Sequence, residues 1–599
     1  MTAAATRHPF PYILINGLPY ALSRTPNGVP AWKVQQFQTQ EGDPTRSNRF
    51  RWNDWGRGLG DSRGATRGAV EMSSLVYLGA PGRILPGPVI NTIASGHSVT
   101  VKSFVEVTLP AERILACGGT KVVEINPDTH AVATTQTLTS ADLGPSQLFD
   151  TQVALACGDS IDYYVRSAAG AYTQNSISKK ARAFGKSGSR LVRGYLHNWS
   201  SCDSANITTV NNWSTDYPIG GEEAVIEQVF GHNRWDYVFK RDGFYTFDED
   251  TSAEANVLTD LEHAPSAENR AFGQWYDYVF LCTRSGLYRF IQQGAARTVG
   301  PEEITISENA LAGAWPTAFA AFGHWGYVAF YNGTTTWITR IRRSREGDLS
   351  MGSPFVVVDV LDTFTGECRA MHVTGLGASP ELWYGRALEV AWVQLSINGL
   401  PVAYRTSGTM EVELAPTDLG EPMTMKQFQS LEIIGRNAAA GKTIQMAADM
   451  DGAGYNNVGA SVTALTAGYV KRSWTRNSND AGRVIQLKAT LTNDNATTPI
   501  EIRDIVCIYE SRPIFVQGAV VGLQLRDFYS EADIADRRTA DEARIAIEDL
   551  LDGALVEITD PWGDTYAARL AAYEGDPVEQ MFGEELQVDI AFALRKLDY

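Results

Sequence analysis

The stretch Phe272-Gly273-Gln274-Trp275-Tyr276-Asp277-Tyr278-Val279-Phe280, carried through the turn Ser285-Gly286 to Leu287-Tyr288-Arg289-Phe290, is one of three near-copies of a single phrase. The copy before it runs from Phe230-Gly231 through Trp235, Tyr237-Val238-Phe239 and the turn Asp242-Gly243 to Phe244-Tyr245-Thr246-Phe247. The copy after it runs from Phe322-Gly323 through Trp325, Tyr327-Val328-Ala329-Phe330 and the turn Asn332-Gly333 to Trp337-Ile338. Aromatic and β-branched runs separated by a glycine turn are the grammar of antiparallel hairpins. The Phe-Gly starts lie 42 and then 50 residues apart, close to the roughly 40 to 50 residues of one four-stranded propeller blade. Such a unit cannot bury its faces alone and must stack on its neighbours, so the period fixes the architecture.

The rhythm extends in both directions. Leu115-Ala116-Cys117-Gly118 and Leu155-Ala156-Cys157-Gly158 stand 40 residues apart, each followed by a second apolar run. Ala183-Phe184-Gly185 precedes Arg190-Leu191-Val192, and Glu381-Leu382-Trp383-Tyr384-Gly385 forms a last candidate. One inner hairpin per copy gives about seven blades over residues 101–395, with six and eight left open because blade edges are indistinct. Residues 1–100 are rich in turns and aromatics around Trp52, Trp55 and Gly56-Arg57-Gly58-Leu59-Gly60, and are expected to form an irregular segment packed on the propeller. Residues 396–513 alternate apolar and polar side chains with frequent turns, as in Gln429-Ser430-Leu431-Glu432-Ile433, which predicts an antiparallel β-sandwich. Residues 514–599 predict a small α+β domain. Its helix is announced by the capping box Thr539-x-x-Glu542, by Ala543, Ile547, Leu550 and Leu551 on one face, and by Gly553 as a stop. The fold class is therefore mainly β.

Composition narrows the function classes. The chain of 599 residues has 69 acidic against 51 basic side chains, a formal charge of -18 that repels nucleic acid and anionic membranes. Its six cysteines, at 117, 157, 202, 282, 368 and 507, form no CxxC or metal-spaced group and read as small buried hydrophobes in a reducing compartment. The opening MTAAATRHPFPYILING lacks a secretory apolar region, and no run reaches the roughly 18 apolar residues of a membrane helix. Synthesis and folding in a cytoplasm are expected.

Enzyme motifs are sparse. The sequence holds no GxGxxG opening a helix, no Walker loop, no HExxH and no GxSxG. His232 and His324 follow the Phe-Gly of two copies where Gln274 follows the other, an exchange that suits a structural hydrogen bond better than metal ligation. Asp449-Met450-Asp451-Gly452-Ala453-Gly454 has the alternate carboxylates of a calcium loop, but Ala460 occupies the place of its last bidentate glutamate, so a hairpin turn is expected. Paired carboxylates for glycan cleavage would have to come from Asp236, Asp242, Asp277 or Glu381, whose convergence spacing cannot supply. Trp199 and Trp213, beside Asn and Ser, are the candidate glycan-contact residues, since apolar sugar faces stack on aromatic rings; Trp235 and Trp275 are weaker members of that set. No catalytic, metal or cofactor residue is assigned.

The order of parts resembles that of propeller-containing minor tail, tail-tip and baseplate proteins of long-tailed bacteriophages. The resemblance rests on the aromatic opening with Trp52 and Trp55, the propeller, and the sandwich phrase Met425-Lys426-Gln427-Phe428, Ile444-Gln445-Met446, Asp451-Gly452 and Gly482-Arg483-Val484-Ile485. It also rests on a tail domain, Gly553-Ala554-Leu555-Val556-Glu557-Ile558, similar to small β-domains of tail-tube and baseplate components. The resemblance implies a non-enzymatic virion structural protein of the viral tail, assembled in the host cytoplasm and involved in host attachment. It implies other phage tail proteins and further copies of itself as partners, no cofactor, no nucleic acid and no membrane insertion. A host receptor or cell-surface glycan-binding module and a glycan-cleaving propeller enzyme are the alternatives.

Overall fold

The computed structural model describes residues 12–16, 18–22, 32–37, 48–53, 55, 70–78, 82–232, 235–248, 251, 253–256, 271–276, 278–284, 286–293, 297–303, 311, 313–343, 355–397, 399–419, 425–473, 481–512, 516–526, 530–531, 534–535, 539–548, 550, 555–559, 565–573, 578–582 and 585–596. The chain divides into two compact units: Arg49–Pro422 with Phe428–Ile508, and Met1–Asn48 with Met423–Gln427 and Tyr509–Tyr599.

In the larger unit, seven four-stranded antiparallel sheets follow one another among the described residues. Their innermost strands are Ser103–Val107, Gln147–Phe149, Ala183–Ser187, Ile226–His232, Ala271–Trp275, Trp315–Phe322 and Met371–Thr374. Each of these touches the next, and Met371–Thr374 touches Ser103–Val107, so the strands close a ring. This is a β-propeller. The seventh sheet takes its outermost strand, Asn91–Ile93, from ahead of the first sheet, paired with Val390–Trp392. That borrowed strand closes the ring with backbone hydrogen bonds.

The Phe-Gly phrase owes its repetition to the crowding of the innermost strands. A Cβ on Gly185 would overlap the carbonyl oxygen of Val229 in the next sheet, one on Gly231 would lie 2.5 Å from the Cα of Ser187, and one on Gly273 would overlap the Phe319 ring. Phenylalanines fill the remaining width: Phe230 stacks on Phe272 at 3.7 Å between centroids, and Phe280 stacks on Phe319 at 4.6 Å. The third copy is offset. Phe230-Gly231 and Phe272-Gly273 lie within strands opposite Tyr237-Asp236 and Leu281-Phe280, whereas Phe322 pairs with Trp325 and Gly323-His324 make the two-residue turn, with Gly323 at φ 57°. Phe319 does the interior work there. His324 is exposed and bonds the Tyr276 hydroxyl at 3.1 Å, while Gln274 donates to the Gly231 carbonyl at 3.3 Å in the neighbouring sheet. Residues aligned in the sequence are thus not equivalent in the fold, because the two-residue turn follows the phenylalanine at a different distance in the third copy.

Buried ion pairs join neighbouring sheets. Arg166 grips Glu124 at 2.8 and 3.3 Å while Tyr172 donates to the same carboxylate at 2.6 Å, linking the first and second sheets. Ser187 and Arg190 hold Asp236 across the third and fourth sheets. Tyr384 and Arg386 donate to Asp362 across the sixth and seventh. His130 stacks on Trp392 at 3.6 Å and reaches Glu381 at 2.9 Å, tying the first sheet to the seventh. All six cysteines are free and buried; burial raises the Cys117 and Cys157 thiols to about 12.

The larger unit also holds the sandwich. One sheet orders Asn456–Asn457, Thr443–Met450, Ile485–Thr492, Met410–Leu414 and Val70–Ser74; the other orders Asn48–Trp52, Glu501–Arg512, Met425–Ala438 and Leu465–Ser473, with Ala481–Gly482 also on Met425–Ala438. Burial alternates strictly along Thr443–Met450, as period-two patterning requires when one face packs on a core. Asp449 and Asp451 spend their oxygens on backbone N–H groups: Gly454 on Asp449 at 3.0 Å, and Arg483 and Val484 on Asp451 at 2.9 and 2.8 Å. That segment is a bonded turn.

In the smaller unit, Leu18–Ala21, Tyr12–Ile15, Leu555–Thr559, Thr565–Tyr573, Glu585–Lys596, Val516–Arg526 and Trp32–Phe37 follow in order across one sheet, with Val578–Phe582 beside Glu585–Lys596. The helix Ala540–Glu548 lays Ala543 and Ile547 into a core with Ile13, Ile15, Leu523 and Ile558, and Leu550 packs on it. The expected capping box is present in both directions: Glu542 N–H donates to Thr539 Oγ1 at 3.2 Å, and Thr539 N–H donates to Glu542 Oε2 at 2.9 Å. Thr539→Ala is expected to lower the stability of this unit by about 1 kcal/mol; hydrogen exchange of the helix amides should show the loss. Leu551 and Gly553 lie outside the described residues.

The first hundred residues differ from the expected irregular segment. They supply three strands to the sheet of the smaller unit, one edge strand to each sheet of the sandwich, and the closing strand of the propeller. Short strands with little periodicity of their own gain order by pairing with sheet edges that would otherwise stand open. Gly56–Gly60 lie outside the described residues.

Candidate functional site

The ring of innermost strands encloses an axial cavity of about 720 Å³. Every sheet contributes to its wall. Phe104, Phe184, Phe230, Phe272 and Phe319 supply apolar surface from five sheets, and Gln147, Gln228 and Gln274 supply amides from three. The ionisable lining groups are Lys102, Lys186, Arg369 and His372. None of the described lining residues is a carboxylate.

Local structure explains where these groups stand. Lys102 directly precedes the first innermost strand and is anchored by its N–H on the Cys117 carbonyl at 2.7 Å. Arg369 sits two residues before the seventh innermost strand, with Nε on Glu367 at 2.6 Å. Lys186 follows the Phe184-Gly185 step, where strand alternation turns it away from the buried Gly185 and Ser187. Lys102 also pairs with Asp142 at 2.7 Å, but Asp142 is 70% exposed, so water screens that pair. His372 Nε2 lies 3.1 Å from Glu106. Although burial opposes the charge on Glu106, His372, Thr374 and the Gly375 N–H hold its carboxyl below the usual range. Its partners here include one wall group of the cavity.

A smaller recess of about 40 Å³ opens beside the same cations, lined by Lys102, Asp142, Arg182, Glu227 and Arg369 among others. There Arg182 is shared between Asp159 at 2.8 Å and Glu227 at 3.2 Å, and Arg241 adds a second donor to Glu227 at 2.8 Å. The chemistry of the whole constellation is donation: ammonium, guanidinium and amide N–H groups at an apolar wall offer hydrogen bonds to acceptor-rich ligands.

The residues expected to contact glycan lie elsewhere. Trp199 is fully buried between Phe247, at 4.6 Å between centroids, and Tyr217. Trp213 is 7% exposed, donates to the Ile207 carbonyl at 3.0 Å and carries Arg193 over its ring at 5.5 Å. Neither offers a ring face for stacking, and both are packing residues of the propeller. The Asn and Ser beside Trp199 belong to the strand Asn198–Cys202, with Ser200 and Ser201 buried, and Asn211 and Asn212 beside Trp213 close a 3-10 helix, so small polar neighbours here do not mark a surface. Trp275 is likewise buried, its Nε1 on the Gly323 carbonyl at 2.9 Å, and Trp235 packs beside the Phe230 cluster.

The candidate carboxylates do not converge. Asp236 and Glu381 belong to the fourth and seventh sheets and are each engaged, by Ser187 and Arg190 and by His130 and Trp383 respectively. Asp242 Oδ2 faces Lys240 at 3.7 Å and Tyr245 at 3.4 Å, and Asp277 lies outside the described residues. Among the described residues no group of three or more His, Cys, Asp or Glu side chains is placed to hold a metal ion. The cavity cations went unread because they come from segments up to 270 residues apart. The one usable signal was the polar residue after Phe-Gly: Lys186 and Gln274 occupy that place and both face the channel.

No protein-family model and no curated protein matches the chain. Among solved structures, it is similar to virginiamycin B lyase from Staphylococcus aureus, with 10% identity and a TM-score of 0.38 over 51% of this chain and 99% of that one. A streptogramin B lyase gives 8% identity and 0.37 over 51% and 97%. The WD40 repeats of RRP9 give 10% identity and 0.38 over 52% and 100%. None of these likenesses bears on what this chain does.

Proposed function

We propose that the chain is a structural protein of the tail tip or baseplate of a long-tailed bacteriophage, a rigid propeller scaffold that docks on neighbouring tail subunits. The observation that best supports this reading is the sheet of the smaller unit. Strands from the first forty and the last ninety residues are built into it, with Tyr12–Ile15 paired to Leu555–Thr559, and its outermost strand Trp32–Phe37 has a described partner on one side only. A sheet edge of that kind can accept a strand from another subunit, and backbone pairing would supply the affinity. The buried ion pairs between blades suit a component that must keep its shape within a particle. The resemblance in the order of parts supplies the phage assignment, and the partners it implies are tail proteins and further copies of this chain.

Immunogold electron microscopy with antibodies against the recombinant chain tests the proposal. Particles produced from the genome that encodes it should carry label at one end of the tail. Purified virions without label would overturn the assignment.

A further inference from the structure

We infer that the axial channel of the propeller binds a ligand bearing carboxylate or phosphate groups, of the size of a charged trisaccharide or a dinucleotide. This assignment stands apart from the virion role, since it rests on the channel alone. The cavity of about 720 Å³ lies within the roughly 300 to 1,000 Å³ of small-molecule sites.

The unfilled donors set the ligand's charge. Lys186 is exposed in the channel and has no carboxylate partner among the described residues. Arg369 commits Nε to Glu367, and its two Nη groups have no acceptor among the described residues. The side-chain amide of Gln228 is likewise uncommitted among them. These three donors come from the third, seventh and fourth sheets and line one cavity, an arrangement suited to several acceptors on one ligand. The carboxylates nearest Lys102, Arg369 and His372, namely Asp142, Glu367 and Glu106, do not line the cavity. An entering anion therefore meets cations first.

The surroundings strengthen that preference. Edges of Phe184, Phe230, Phe272 and Phe319 line the same cavity and offer apolar contact beside the donors. A chain of net charge -18 repels anions over most of its surface, so a channel of cations focuses them at one place. A neutral ligand of the same size would leave the Lys186 ammonium without a charged partner among the described residues.

Isothermal titration of the full chain at low ionic strength tests the inference with three probes: trigalacturonate, inorganic pyrophosphate and neutral maltotriose. Saturable one-site binding of trigalacturonate alone would identify a carboxylated glycan, binding of pyrophosphate alone a phosphate ligand, and binding of both a general anion site; each supports the channel. Lys186→Glu should weaken the bound anion about tenfold or more, a loss of about 1.4 kcal/mol, with Lys186→Gln intermediate. Lys186 is exposed, so unchanged melting should show both variants to be folded. The inference is overturned if neither anion binds, if maltotriose binds as well as the anions, or if Lys186→Glu and Arg369→Gln both leave binding unchanged.

Discussion

Asp359→Ala is expected to lower the stability of the propeller by about 3 to 5 kcal/mol, the range for stripping one partner from a buried ion pair. Asp359 is fully buried and accepts from Arg340 Nε at 2.7 Å, from Arg340 Nη2 and from the Leu78 N–H at 2.8 Å. Arg340 is 3% exposed and lies between Tyr77 and Trp325, 3.9 and 4.4 Å from their ring centroids. Burial opposes its charge, but Asp359 outweighs that effect and holds the guanidinium above its ordinary pKa. It cannot shed its proton when Asp359 is removed, so the variant keeps an uncompensated cation in a dry interior. Calorimetry of the full chain should show the transition of the larger unit moving down while that of the smaller unit stays in place. Replacing both partners together, Arg340→Met with Asp359→Leu, should recover much of the loss, because an apolar pair carries no desolvation penalty. A drop below about 1 kcal/mol in the single variant would place the pair among solvated surface bridges.

Gly185→Ala should be comparably damaging, at about 3 kcal/mol, the upper end of the range for overpacking a tight interior. The added methyl would meet the backbone carbonyl of Val229, which no side-chain rotation can move. Relief requires the third and fourth innermost strands to separate, and the closed ring passes that displacement to the other sheets. Gly375→Ala is the matching control. An added methyl there would have nothing within 4 Å, and the backbone φ is not in the left-handed region, so a change of about 0.5 kcal/mol or less is expected. Equal melting of the two variants would show that the ring yields to the added methyl and that close approach of neighbouring blades does not require glycine at this place.

Much of the fold is legible in the sequence. The repeat period announces a propeller, alternation announces the sandwich, and Thr539 with Glu542 marks a helix start that the reciprocal bonds bear out. These are local properties: hairpin turns, side-chain alternation and caps act within a few residues and leave their mark there. Trp199 and Trp213 mislead for a related reason. Their immediate neighbours are turn formers, but their own rings pack against Phe247, Tyr217 and Tyr163, which stand 18 to 50 residues away along the chain. The third Phe-Gly misleads through the place of its turn, since the two-residue turn there follows the phenylalanine at once and moves the same letters from a strand into a loop.

A mainly β chain with a repeated blade, a sandwich and a helix-bearing C-terminal domain can be read from the residues in order, because period and turn chemistry are short-range. Which strands from the first hundred residues complete which sheets follows only from the folded chain, since an edge strand is chosen by the partner it finds. The fold also decided that Lys102, Lys186, Gln228 and Arg369 share one channel. Closure of a ring brings distant innermost strands to a common axis, and no spacing along the chain encodes that meeting.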